Sequence, residues 1–142
     1  MSVKPPSCVL LADRHHGLTE GVRGLLETAF GTVVMVADQA SLLEGAARLR
    51  PDLVVVDLSL ARDGGLGWLL AVRQRCPDLK VIVLSVHDED SVRAAAIAAG
   101  ADAYVLKRAI LTDLLPAVEA VRPKPDADAL AVHAVPGERS PR

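Results

Sequence analysis

Aromatic side chains are nearly missing: Phe30, Trp68 and Tyr104 make up 2% of 142 residues. So few rings exclude a nucleic-acid surface built on base stacking, and they leave the core to Val, Leu, Ile and Ala. A basic excess is missing too. Sixteen Lys and Arg stand against 18 Asp and Glu, a formal net charge of −2, which excludes bulk neutralisation of a phosphate backbone. The only cysteines, Cys8 and Cys76, lie far apart with no CxxC. Each reads as a small buried hydrophobe, not half of a disulfide or a metal site. No apolar run approaches the ~20 residues of a membrane span. Residues 1–6 are short and polar, and Cys8–Ala12 is too short for the apolar core of a secretory leader. The chain reads as cytoplasmic, with no membrane partner and no direct binding of DNA.

Apolar residues are nonetheless plentiful, at 51%, enough to build a core and exclude a wholly disordered chain. They gather in short runs: Cys8–Ala12, Thr32–Ala37, Leu53–Val56, Val81–Leu84 and Ala103–Leu106. The runs have strand length and do not alternate with polar residues, as in strands buried on both faces of a parallel sheet. Helical patterns separate them. Leu18–Thr28 carries an apolar stripe. Ser41–Arg50 opens on a capping box, Ser41-x-x-Glu44, and stops at Pro51. Leu66–Arg75 precedes Pro77. Asp88–Ala99 has acids in its first turn and Gly100 at its end. Thr112 or Asp113 caps a helix to about Val121, with Pro116 near its start.

The order βαβαβαβαβα predicts an α/β, flavodoxin-like, doubly wound five-stranded parallel sheet, order 2-1-3-4-5, with five flanking helices. The domain covers 7–122. Residues 1–6 form a short N-terminal segment, and 123–142 a Pro-rich tail expected to be disordered.

Ligands of open α/β sheets sit outside the carboxyl ends of the strands. There the pattern places Asp13 after strand 1, Asp57 after strand 3, Ser85 after strand 4 and Lys107 after strand 5. An aspartate can be a nucleophile toward a phosphoryl group, with a divalent cation on oxygen ligands to neutralise the charge. Asp13, Asp57 and the backbone carbonyl of Ser59 could supply oxygens. Lys107 and the Ser85 hydroxyl could meet phosphoryl oxygens. His15, His16 and His87 are placed on loops at the same edge and read as exposed residues rather than metal ligands.

The stretches VLLAD (9–13), PDLVVVDLSL (51–60), VIVLSVHDED (81–90) and AAGADAYVLKRA (98–109) carry a resemblance. Over about residues 7–122 the chain resembles a response-regulator receiver domain of the NarL/FixJ-like branch, without its helix-turn-helix output module. The resemblance implies a two-component phosphorelay signalling role and no classical enzyme activity. Asp57 would be the phosphoacceptor, Ser85 and Lys107 the phosphate-contacting residues, and Tyr104 the switch aromatic. It also implies Mg2+ as cofactor, a histidine kinase or phosphotransfer protein as partner, and a possible homodimer through the Ala-rich fourth helix.

Two departures qualify it. The family usually has two adjacent acids after strand 1, and here Arg14 follows Asp13. A fixed cation then weakens the metal site, either by pairing with Asp57 or by turning to solvent. Ala61 stands where a proline is common, so the loop 62–65 should be loose. The alternative is a degenerate, phosphorylation-independent receiver acting as an interaction module. A haloacid-dehalogenase-type phosphatase would want a carboxylate at Ser59, and no GxGxxG follows strand 1 to hold a nucleotide.

Overall fold

The computed structural model describes residues 7–61 and 65–122. The expected short N-terminal segment, the Pro-rich tail and most of the loop after Ala61 lie outside the described residues. Five parallel strands, β1 (Cys8–Ala12), β2 (Thr32–Val36), β3 (Leu53–Asp57), β4 (Lys80–Ser85) and β5 (Ala103–Leu106), pair in the order β2-β1-β3-β4-β5. The register sets Leu10 beside Val34 and Val54, and Val83 beside Val56 and Tyr104.

Five helices connect them: α1 (His16–Glu27), α2 (Gln39–Leu49), α3 (Gly67–Arg75), α4 (Asp90–Ala99) and α5 (Ile110–Val121). The strands' period of two sorts their apolar runs into two cores. Leu10, Val54, Val56, Val81 and Val83 pack with Leu42 and Ala46 of α2, Trp68, Leu69 and Val72 of α3, and Ala96 of α4. Val9, Leu11, Val55, Ile82 and Leu84 pack with Val22 and Leu26 of α1 and with Ile110, Leu114 and Val118 of α5. Both faces are covered, which is why the runs do not alternate with polar residues.

Several boundaries differ from expectation. Asp38, not the Ser41–Glu44 box, caps α2: its carboxylate accepts the Ser41 N–H at 2.8 Å. Extended backbone at Asp38 leaves that carboxylate free to fold back on the first turn. Helix α1 starts at His16, so His16 is not a loop residue. Helix α4 starts at Asp90, and Glu89 precedes it without a side-chain cap. Helix α5 starts at Ile110, directly after a 3-10 turn at Lys107–Ala109, so neither Thr112 nor Asp113 caps it. Pro116 is therefore interior to α5 and not in its opening turn. Cys8 and Cys76 are free thiols and only half-buried. Burial, then the nearby Asp52 carboxylate, pushes the Cys8 thiol up.

One side chain ties the amino edge together. Arg73 of α3 donates to the carbonyls of Gly100, Pro77 and Leu79 and pairs with Asp102. Asp102 in turn accepts the Val81 N–H at 2.8 Å. Gly100 ends α4 at φ +123, where a Cβ would stand 2.6 Å from Arg73 Cγ, so both conformation and space require glycine. Among the described residues no helix is long and apolar enough to cross a membrane.

Candidate functional site

β1 lies between β2 and β3, so the chain leaves adjacent strands β1 and β3 in opposite directions and a crevice opens at their carboxyl ends. A cavity of about 460 Å³ there is lined by Arg14, His15, Asp57, Ser59, Ser85, His87 and Lys107, among others. Asp57 ends β3 and is 2% exposed. Its Oδ1 accepts the Ser59 N–H at 2.9 Å and the Ser59 hydroxyl at 3.0 Å, and its Oδ2 accepts from Lys107 Nζ. The Ser59 contacts arise because the chain turns into a 3-10 helix, Leu58–Leu60, immediately after the strand. Burial pushes the Asp57 carboxyl up. The Lys107 ammonium and the Ser59 donors outweigh it and hold the group below the usual carboxylate range.

Asp13 follows β1 and is 3% exposed. Its Oδ1 accepts the His15 N–H at 2.8 Å. Burial, with Asp57 close by, pushes its carboxyl above the usual range. It is not the cap of α1, whose N-cap is His15 with no side-chain bond. Ser85 ends β4, and its Oγ accepts the His87 N–H at 2.9 Å. Tyr104 of β5 is buried; its hydroxyl donates to the His87 carbonyl at 2.7 Å, and Arg93 of α4 lies 4.9 Å from its ring centroid. Asp57, Ser59, Ser85 and Lys107 thus converge on the cavity, with Asp13 beside it and Tyr104 one hydrogen bond away through His87.

Arg14 does not pair with Asp57, the first of the two outcomes expected of it. It is half-buried in the cavity wall, and its Nε is buried with no hydrogen-bond partner. Asp57 pairs with Lys107 instead. Lys107, the first residue after β5, takes one lone pair of Oδ2, and the two Ser59 donors take Oδ1, so the Asp57 charge is already paired without a guanidinium.

The resemblance carried by the sequence implies Mg2+ at this edge. One group of ligand atoms among the described residues could hold an ion: Asp13, His15 and Asp57, within 4.8 Å of one another. That set fits magnesium poorly. Mg2+ prefers carboxylate, carbonyl and water oxygens, while imidazole suits Zn, Cu or Ni. Asp57 is already engaged on both oxygens, and Arg14 and Lys107 bring two cations to the same cavity.

Sequence reading placed His15 at this edge as an exposed residue, which it is; it missed the Ser59 donors on Asp57 and Arg93 over Tyr104. The last depends on how α4 leans on β5, which no local pattern encodes.

Over residues 9–119 the sequence matches the response regulator receiver domain family. It is 38% identical over 117 residues to the nitrate/nitrite response regulator protein NarP of Escherichia coli K12, covering 81% of this chain and 54% of that protein. It is 31% identical over 115 residues to the transcriptional regulatory protein DegU of Brevibacillus brevis, covering 80% and 49%. The chain therefore spans about half the length of these curated relatives. Among solved structures, a LuxR-family two-component response regulator from Aurantimonas sp. SI85-9A1 aligns at TM-score 0.74 and 30% identity, over 82% of this chain and 84% of that one. The isolated receiver domain of RcsB from Salmonella enterica serovar Typhimurium, solved with the phosphomimetic BeF3−, aligns at 0.72 and 26%, over 82% and 88%. The match spans every strand, and the strand order is the one expected of the fold; the chain belongs to the response regulator receiver domain family of two-component systems.

Proposed function

We propose that the chain accepts a phosphoryl group on Asp57 from a histidine kinase or phosphotransfer protein and transmits its presence to the α4–β5 surface. The observation that carries this reading is the Asp57 carboxylate. It is kept ionised at a strand end, its Oδ1 is held by Ser59, and its Oδ2 faces a cavity with Lys107 and Ser85. An ionised, oriented carboxylate is a competent nucleophile. Ser59 fixes its rotamer. Lys107 starts on Oδ2 and moves to a phosphoryl oxygen as the O–P bond forms, supplying charge where it develops. The Ser85 hydroxyl donates to a second oxygen.

The signal has a short route. Ser85 Oγ accepts from His87 N–H, and the His87 carbonyl accepts from Tyr104. A phosphoryl group that draws Ser85 toward it pulls on the residue holding the Tyr104 hydroxyl. The test is incubation with a small phosphodonor followed by intact-mass analysis. One phosphoryl addition is expected, lost in Asp57→Ala; retention of the addition in Asp57→Ala would refute the assignment.

A second reading has its own observation. Tyr104 is already buried, bonded to His87 and covered by Arg93. A receiver held in that arrangement would act as a phosphorylation-independent interaction module. Either reading leaves room for a weak homodimer through α4, whose exposed side is Ala-rich with Ile97 at 45% exposure. Light scattering at high concentration distinguishes dimer from monomer.

A further inference from the structure

The cavity beside Asp57 is formally neutral as it stands. Two carboxylates, Asp13 and Asp57, meet two side-chain cations, Lys107 and Arg14. Lys107 is spoken for by Asp57. Arg14 is not: it lines the cavity, and its buried Nε–H donates to nothing. Buried donors are almost always satisfied, so Arg14 is a cation at the cavity wall with donor capacity that the resting fold leaves unused. A magnesium ion cannot use it. It would add two positive charges to a neutral site, next to a guanidinium. A phosphoryl group on Asp57 can. It brings about −1.5 to −2 charges and three strong acceptor oxygens, and guanidinium donors match phosphate geometry as a fork.

We propose that Arg14 takes the place of a divalent cation here. With Lys107 and Ser85 it holds the phosphoryl oxygens on Asp57, so that the site is phosphorylated without a metal ion. This rests on the phosphoacceptor reading above and deepens it. With phosphoramidate as donor the step is balanced. Asp57 Oδ2 attacks phosphorus and an O–P bond forms. The P–N bond breaks, and its electron pair leaves on an already protonated nitrogen as ammonia. Arg14 loses no proton; it stabilises the equatorial oxygens through charge and hydrogen bonds.

The test uses the full chain with phosphoramidate, in excess EDTA or in excess Mg2+, read by intact mass. Wild type should be labelled in EDTA at a rate within about twofold of that in Mg2+. Arg14→Gln should lose about tenfold in EDTA, Arg14→Lys should recover part of it, and Arg14→Asp should become magnesium-dependent. An independent readout avoids the reaction. Orthophosphate titrated in EDTA should raise the melting temperature of Asp57→Asn but not of the Asp57→Asn, Arg14→Gln double variant. Labelling of wild type only with Mg2+, or equal labelling of Arg14→Gln in EDTA, would overturn the role of Arg14 and leave the phosphoacceptor reading standing. Strong stimulation by Zn2+ would also overturn it, in favour of an ion held by Asp13, His15 and Asp57. No labelling under any condition would defeat the phosphoacceptor reading itself, and this proposal with it.

Discussion

Two neighbouring buried acids carry opposite shifts, and each implies its own pH dependence. Asp57 is held below the usual range by Lys107 and Ser59. Its contribution to stability is complete above the unfolded value of ~3.9 and disappears as pH falls through the folded one. Asp13 is pushed up by burial and by Asp57. It costs stability as pH rises from ~3.9 through its folded value, because ionisation is then harder in the folded chain. Asp13→Asn keeps an oxygen for the His15 N–H and removes that cost. The variant should melt higher than wild type at pH 7, with the two curves converging below pH ~4. Thermal melts across pH check this; a lower melting temperature for the variant at pH 7 would show that the Asp13 charge is needed by the cations opposite.

Helix boundaries show where local signals ran out. The apolar runs placed every strand, and the acids, hydroxyl and lysine at their ends were legible because a parallel sheet brings all its carboxyl ends to one edge. The caps were not. Ser41 and Glu44 satisfy a capping pattern, but Asp38 sits three residues before Ser41 and a carboxylate there competes better for the same N–H. The start of α5 was missed because the Lys107–Ala109 turn runs into it without a capping side chain. Two substitutions follow at this scale. Pro116 is exposed and interior to α5, where it supplies no N–H and crowds the preceding turn. Pro116→Ala should stabilise the domain by about 1–2 kcal/mol, less than the full helix penalty because proline also stiffens the unfolded chain. Arg50 ends α2 in the left-handed region at φ 46, ψ 58, directly before Pro51. Arg50→Gly relieves strain that only glycine avoids, a gain of about 0.5–1 kcal/mol after the entropy of the freer unfolded chain. Urea unfolding measures both.

Across the whole molecule the two edges of the sheet are built differently. At the carboxyl edge, charged groups face a cavity. At the amino edge, Arg73 is fully committed to Gly100, Pro77, Leu79 and Asp102. Arg73→Ala leaves three carbonyls and a partly buried carboxylate short of donors, and should cost about 2–4 kcal/mol in urea unfolding; Arg73→Lys should recover only a fraction, since one ammonium cannot span the fork. The same staple determines how α4 can move. Its last turn is anchored where Gly100 meets Arg73, while its first turn begins at an uncapped Glu89, between His87 and Val92 of the cavity wall. A helix clamped at one end and loose at the other behaves as a lever with its fulcrum far from the push. In hydrogen-exchange terms, the amides of Ala101, Asp102 and Val81 should stay slow whether or not the cavity is filled, while those of Ser91, Val92 and Arg93 change; the angular swing would be read out at the free end, over Tyr104.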